Sequence, residues 1–89
     1  MVDGGYDDTD LALLGRAVRH LREERSLSAE RLAEAAGMTR QRIAMLEAGR
    51  LDPTYELLLA LADALHTQPS VIVALAEQIK EEDNSCPFS

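Results

Sequence analysis

The feature that most constrains the fold is a pair of short helical segments joined by a turn, in the sequence SAERLAEAAGMTRQRIAMLEAG at residues 28–49. Ser28 and Thr39 are residue types that cap the amino ends of helices, and Gly37 can take the left-handed conformation that ends one. A short turn that contains glycine is what a helix-turn-helix requires. The segment therefore predicts a helix-turn-helix unit over about residues 28–48.

The rest of the chain predicts three further helices and an all-α fold. The composition is 46% hydrophobic but only 3% aromatic, which suits helices better than a β-sandwich. Apolar residues recur at helical spacing and predict the buried side of each helix. On the first helix these residues are Leu14, Val18 and Leu21. On the fourth they are Tyr55, Leu58, Ala62 and Leu65. We expect a compact five-helix domain with helices at residues 9–25, 28–36, 39–48, 54–65 and 69–82.

The segments on either side of this domain of residues 9–82 are expected to be flexible. Residues 1–8 are acidic and contain two glycines, and residues 83–89 form a polar tail. The opening MVDGGYDD lacks the basic start and apolar run of a signal peptide. The apolar run VIVALA is too short to span a bilayer. We expect a cytoplasmic protein that does not contact a membrane.

Side chains with catalytic or metal-binding chemistry are not grouped in the sequence. Cys86 is the only cysteine, so it cannot form an internal disulfide, and no histidine lies near it. His20 is expected to be a surface residue, and His66 is expected to end a helix. No spacing is typical of a zinc site or of a phosphate-binding glycine loop. We therefore expect no enzyme, no cofactor, no metal ion and no small-molecule ligand.

The charge of the chain is unevenly distributed. The formal net charge is −7, yet eight arginines and five glutamates give residues 16–50 a local excess of positive charge. The acidic excess lies in residues 1–15 and 51–89. Because charges are screened over about 8–10 Å at physiological salt, a distant acidic face counts for less than a local basic one. The net charge therefore weakens a nucleic-acid-binding function but does not exclude it.

An ordered set of short motifs runs through most of the chain: LREER followed by SL, then LAEAAGMT, IAMLEAGR, a proline and LLALADAL. Over residues 14–73 this set resembles the Cro/repressor-type, or XRE, family of helix-turn-helix proteins. The resemblance implies a lambda-repressor-like DNA-binding domain. It also implies a sequence-specific transcriptional regulator that binds double-stranded operator DNA, usually as a homodimer.

The resemblance makes the helix at residues 39–48 the recognition helix, with its amino-terminal residues against base edges in the major groove. Arg40 and Gln41 are then the leading base readers, since arginine can bond guanine and glutamine can bond adenine in bidentate fashion. Ala44 and Met45 occupy the outward positions one turn further on. Without the resemblance, the polar residues at 40–42 are equally typical of a solvated helix face.

The resemblance also implies contacts to the phosphate backbone. Helix starts present unpaired amides and a favourable dipole to an anion. The candidate phosphate contacts are Ser28, Ala29, Arg42, Arg50, Thr54 and Tyr55. An acid on the recognition helix, Glu47, is expected to turn away from DNA and pair with Arg22 of the first helix.

A second class of function stays open beside this one. Ala29 and Met45 stand where the family commonly has polar residues that bond DNA, and the flanks of the domain are acidic. The last helix is more apolar than one small core requires, so it is expected to serve both the core and a dimer contact through Val71, Leu75 and Ile79. The alternative is a protein-interaction module, such as an antitoxin or co-regulator, that binds a protein partner and has weak or no DNA binding.

Overall fold

The computed structural model describes residues 8–84, with side chains described over residues 10–82. This part contains five α-helices and no strand, which confirms the all-α prediction. The helices are α1 (Asp8–Glu24), α2 (Ala29–Ala36), α3 (Arg40–Glu47), α4 (Tyr55–Ala64) and α5 (Pro69–Asn84). Residues 8, 83 and 84, assigned above to the flexible ends, are therefore helical. The rest of those predicted ends, with Cys86, lies outside the described residues.

Hydroxyl side chains set where α2, α3 and α4 begin. In each case a serine or threonine just before the helix accepts a hydrogen bond from the backbone N–H three residues later, as the sequence predicts for an N-cap. These bonds run from Arg31 N to Ser28 Oγ at 3.0 Å, from Arg42 N to Thr39 Oγ1 at 3.1 Å, and from Leu57 N to Thr54 Oγ1 at 3.1 Å. The short helices α2 and α3 are thus held in register at their starts by local bonds.

A residue in the left-handed conformation follows each of the first four helices, at Ser26, Gly37, Gly49 and His66. Gly37 has a φ of 72° after α2, and the next residue, Met38, donates its N–H to the carbonyl of Ala33 at 2.8 Å. His66 has a φ of 57° after α4 and closes that helix as predicted. The sharp change of direction at Gly37 lets α3 fold back across α2, which forms the helix-turn-helix.

The helices pack around one hydrophobic core. α1 lies against both α3 and α5, α2 lies against α3 and α4, and α4 lies against α5. The side chains removed most completely from water come from all five helices: Val18, Leu32, Ile43, Leu46, Leu61, Leu65 and Ile72. Because α2 and α3 contribute to this core, the helix-turn-helix has a fixed position on the other three helices.

Tyr55 differs from the prediction that it joins the buried stripe of α4. Its side chain is 69% exposed, whereas Leu58, one turn later, is buried. Tyr55 is the first residue of α4, and it lines an open groove with Pro69 and Val73 at the start of α5. The helical period identified the correct side of α4, since Leu58, Ala62 and Leu65 are buried, but at Tyr55 this side opens onto the groove.

None of the five described helices is by itself long and apolar enough to cross a membrane. α4 and α5 pass the length and composition test only as a pair, and they are bent by 96°.

Candidate nucleic-acid interface

The candidate base-reading residues share the solvent side of α3. Ile43 and Leu46 are fully buried and turn the opposite side of the helix into the core. The four candidates, Arg40, Gln41, Ala44 and Met45, are all exposed. Their spacing of one and four residues places them on one helical face. The face therefore combines a guanidinium, an amide, a methyl group and a thioether, all free to contact a ligand.

The first turn of α3 carries no acidic residue, unlike the first turns of α2 and α4, which contain Glu30 and Glu56. Unpaired amides and the helix dipole make this end positive. Arg40 and Arg42 add positive charge to it. The start of α3 is therefore suited to approach a polyanion, although the whole chain is acidic.

Four of the six candidate phosphate contacts form two groups, one near each end of α2. Arg42 and Thr54 line one shallow hollow together with Thr39. Ser28 and Ala29 lie at the amino end of α2, while the carboxyl end of α2 borders that hollow. Eight residues of helix separate the two groups by about 12 Å.

The remaining phosphate candidates have distinct surroundings. Arg50 is exposed, and its N–H donates to the carbonyl of Met45 at 2.8 Å, which fixes it directly after α3. Ala29 is half-buried against the core. Because its methyl side chain has no hydrogen-bond donor, only its backbone N–H can bond an anion. Tyr55 points into the groove between α4 and α5 rather than into the hollow that contains Arg42.

Arg22 and Glu47 form a two-point ion pair between α1 and α3. Arg22 Nε lies 2.7 Å from Glu47 Oε2, and Arg22 Nη2 lies 3.2 Å from Glu47 Oε1. The side chains are only 14% and 12% exposed. The hydrogen bond to Glu47 raises the pKa of Arg22, with burial opposing it to a smaller extent. The carboxylate of Glu47 is thus neutralised on the side of α3 away from its exposed face.

Arg22 has one more partner, which the sequence does not reveal. Its Nη1 donates to the carbonyl of Leu27 at 2.8 Å, in the loop between α1 and α2. One guanidinium therefore ties α1, this loop and α3 together. The acceptor is a backbone carbonyl, which every residue carries, so no residue pattern indicates this contact.

The candidate dimer residues of α5 are unequally exposed. Val71 is 41% exposed, whereas Leu75 and Ile79 are half-buried and pack against the core. Leu75 and Ile79 form the floor of a groove against α1, beside Arg16 and His20. Other exposed apolar side chains, Leu59 and Val73, lie on α4 and α5 and were not singled out in the sequence.

Among residues 8–84 no group of three or more His, Cys, Asp or Glu side chains could hold a metal ion.

A family model described as a helix-turn-helix domain matches residues 13–75 of this chain. The chain belongs to this helix-turn-helix family. The matched residues include α2, α3 and the Arg22–Glu47 pair, so the family assignment covers the whole candidate interface. The resemblance to Cro/repressor-type proteins drawn from the motifs is confirmed.

Individual relatives agree with this assignment. The chain is 39% identical over 69 residues to the immunity repressor protein of Bacillus phage phi105, a match covering 78% of this chain. It spans about half of that relative's length, 48%.

Solved structures share the fold. The restriction-modification controller protein C.AhdI of Aeromonas hydrophila superposes with a TM-score of 0.70 at 33% identity, covering 71% of this chain and 96% of that one. The DNA-binding domain of the P22 c2 repressor superposes with a TM-score of 0.67 at 27% identity, covering 71% of this chain and 83% of that one. The lambda-repressor-like architecture predicted from the sequence is therefore confirmed.

Proposed function

We propose that this protein is a sequence-specific DNA-binding transcriptional regulator that places α3 in the major groove of its operator. The observation that carries the proposal is the exposed face of α3, which presents Arg40 and Gln41 while Arg22 holds the opposite side of the helix through Glu47. Its relatives named above, a repressor and a controller protein, support the same role. The proposal places the protein in the cytoplasm with its DNA and gives it no catalytic activity.

Base edges and phosphates have separate contacts in this proposal. Arg40 bonds the O6 and N7 of a guanine, Gln41 bonds an adenine, and Met45 with Ala44 meets thymine methyl groups. Ser28 and Ala29 hold one strand through the backbone at the start of α2, while Thr54 and Tyr55 at the start of α4 contact the other.

Substitution of Arg50 tests the proposed phosphate contacts. Arg50→Ala is expected to weaken binding to all duplexes alike, because a phosphate contact carries no sequence information. The slope of log affinity against log salt is expected to fall by about 0.9, the value for one lost phosphate charge. Fluorescence anisotropy over a salt series measures both quantities. Arg19→Ala, which removes the same charge from an exposed position on α1, serves as the control and should change neither.

The direct test of the function is selection of bound duplexes from a random pool by the intact chain. A regulator of this kind enriches one site, and its affinity falls steeply with salt. Failure to enrich any sequence, combined with no affinity for duplexes at low salt, contradicts the proposal.

We propose further that the protein acts as a homodimer, with the exposed face of α5 in the interface. Two copies related by a two-fold axis would place their recognition helices in major grooves about 34–36 Å apart, one turn of DNA. Val71 supplies apolar surface that is not needed by the core, and Leu75 and Ile79 extend it along the helix. Because Leu75 and Ile79 also pack against the core, substituting them would disturb the fold as well as the interface. Val71 is therefore the better position at which to test the interface.

Val71→Asp is therefore expected to weaken self-association by about tenfold or more, because a carboxylate would have to lose its water in the interface. Sedimentation equilibrium gives the association constant. Ser70→Asp is the matched control, since it places the same charge in the same first turn of α5 on a neighbouring exposed position. Equal effects of the two substitutions would exclude Val71 from the interface.

A protein-interaction module, such as an antitoxin or co-regulator, is the second candidate function. The exposed apolar side chains of Leu59, Val71 and Val73 favour it, since they lie on α4 and α5 rather than on α3. Ala29 and Met45 favour it too, because neither side chain can donate a hydrogen bond to DNA. The salt series above separates the two functions, since a protein-binding module lacks the steep dependence that phosphate contacts produce.

A further inference from the structure

Two glycines let the backbone of α1 touch the carboxyl end of α3. A Cβ atom on Gly15 would lie 2.7 Å from the carbonyl oxygen of Glu47 and still closer to that of Leu46. A Cβ atom on Gly49 would lie 2.9 Å from the Cα atom of Ala12. Real Cβ atoms essentially never come within 3.0 Å of another heavy atom in this way, and the opposing atoms are backbone. Any side chain at either position must therefore move α1 and α3 apart.

The two contacts lie at the end of α3 that the Arg22–Glu47 pair also holds. The opposite end, which carries Arg40 and Gln41, is held by the Thr39 cap, by the turn at Gly37 and by the burial of Ile43 in the core, with no close backbone contact to α1, within residues 8–84, of the kind made by the two glycines. α3 is eight residues long, about 12 Å, so a shift at its carboxyl end is transmitted along a rigid rod to its amino end. Bidentate hydrogen bonds to a base tolerate only a few tenths of an ångström.

We propose that Gly15 and Gly49 are positioning residues for base reading: by allowing backbone contact with α1, they set the direction in which α3 presents Arg40 and Gln41. This inference rests on the proposed DNA-binding function. It predicts that a side chain at either position lowers the preference for the operator over other DNA, while the general attraction to phosphates persists. A purely structural role would lower stability and leave that preference unchanged.

Gly37 provides a matched control for Gly49. Both residues have positive φ values, 72° and 76°, so a substitution at either position meets the same backbone strain. A Cβ atom on Gly37, however, would have no heavy atom within 4 Å. Asparagine tolerates positive φ better than most residues. The pair Gly37→Asn and Gly49→Asn therefore isolates the contact with α1 from the backbone strain.

The experiment compares the affinity of each intact variant for the duplex selected by the wild type with its affinity for a scrambled duplex. Gly49→Asn and Gly15→Ala are expected to reduce the ratio of these affinities by at least about fivefold, the loss of one bidentate base contact. Their affinity for scrambled DNA and its salt slope should stay within about twofold of the wild type. Gly37→Asn is expected to leave the ratio unchanged, and only the ratio serves as its control value because Gly37 borders the hollow that contains Arg42.

Circular dichroism shows whether each variant is folded, and stoichiometric titration with DNA gives the fraction that binds. The ratio of affinities is compared only after both measurements. A variant that does not fold alone is measured with trimethylamine N-oxide, which favours the compact state without removing the steric contact. If folded Gly15→Ala and Gly49→Asn both keep the wild-type ratio, the inference is overturned. If the wild type itself prefers no duplex, it is the proposed function that fails, so the two failures are distinguishable.

Discussion

Replacing Arg22 with alanine is expected to lower the free energy of unfolding by about 3 kcal/mol, a large part of the stability of a domain this small. The substitution leaves the carboxylate of Glu47, only 12% exposed, without its two hydrogen bonds. It also removes the donor to the carbonyl of Leu27. Urea denaturation followed by circular dichroism measures the change.

Arg19→Ala is the control for this prediction, because Arg19 makes an ion pair with Glu23 on the same helix at 3.2 Å. Both partners there are more than half exposed, so the loss is expected to be about 0.5 kcal/mol or less. The double substitution Arg22→Ala with Glu47→Ala should cost less than the sum of the single changes, since no unpaired charge remains. Equal effects of Arg22→Ala and Arg19→Ala would show that the buried pair contributes no more than a surface one.

The pH dependence of the stability contributed by this pair follows from the direction in which the pKa of Arg22 is shifted. The pKa of Arg22 is raised by its bond to Glu47, so the charged form is favoured in the folded state. A cation with a raised pKa contributes stability fully below its ordinary pKa and loses that contribution only as pH rises through the raised value. Alkaline titration to about pH 10 therefore leaves the guanidinium side of the pair intact.

Arg40→Ala is expected to reduce affinity for the selected operator by about 1–3 kcal/mol, while the penalty on scrambled DNA stays small. The physical reason is the bidentate bond to one guanine, which no other residue on the exposed face can replace. Gln41→Ala should have the same type of effect at an adenine. Anisotropy titrations with operators altered at single base pairs identify which contact each variant has lost.

Arg42→Ala is the matched control for Arg40→Ala, since both arginines are exposed in the first turn of α3 and both substitutions remove one charge. Arg42 faces the hollow shared with Thr54, so its loss should weaken all duplexes alike and reduce the salt slope by about 0.9. The assignment of base readers is wrong if Arg40→Ala behaves as Arg42→Ala does. It is wrong as well if neither Arg40→Ala nor Gln41→Ala changes affinity for the operator.

Local signals in the sequence predicted the helices well. Three helices begin where a hydroxyl side chain accepts a hydrogen bond from the backbone N–H three residues later, at Ser28, Thr39 and Thr54. Such a bond depends only on neighbouring residues, so the local sequence predicts it. Gly37 ends α2 because its left-handed conformation costs little without a side chain. The buried positions of α1 followed from the helical period, and Leu14, Val18 and Leu21 are all in the core.

Predictions about apolar surface were less reliable, since burial depends on which other helix is present to cover a residue. Tyr55 has the spacing of a core residue, but it borders an open groove between α4 and α5 and is 69% exposed. Leu75 and Ile79 were predicted to serve both the core and a second copy; both pack against the core, and the contact with a second copy stays a prediction. The helical period gives the direction of a side chain and not the element that it meets.

The sequence by itself determined that this chain forms five helices, three of them with a hydroxyl N-cap, and a helix-turn-helix, and its ordered motifs identified the family. These properties depend on hydrogen bonds and periodicities within a few residues, so they can be recognised without the fold. The family resemblance also implied that Arg22 pairs with Glu47, 25 positions away, and the structure contains this pair. Only the tertiary structure decided the backbone contacts that hold α3, with Gly15 against the end of α3 and Gly49 against Ala12. Such contacts join distant parts of the chain through backbone atoms that every residue shares. They become visible only when the helices are packed together.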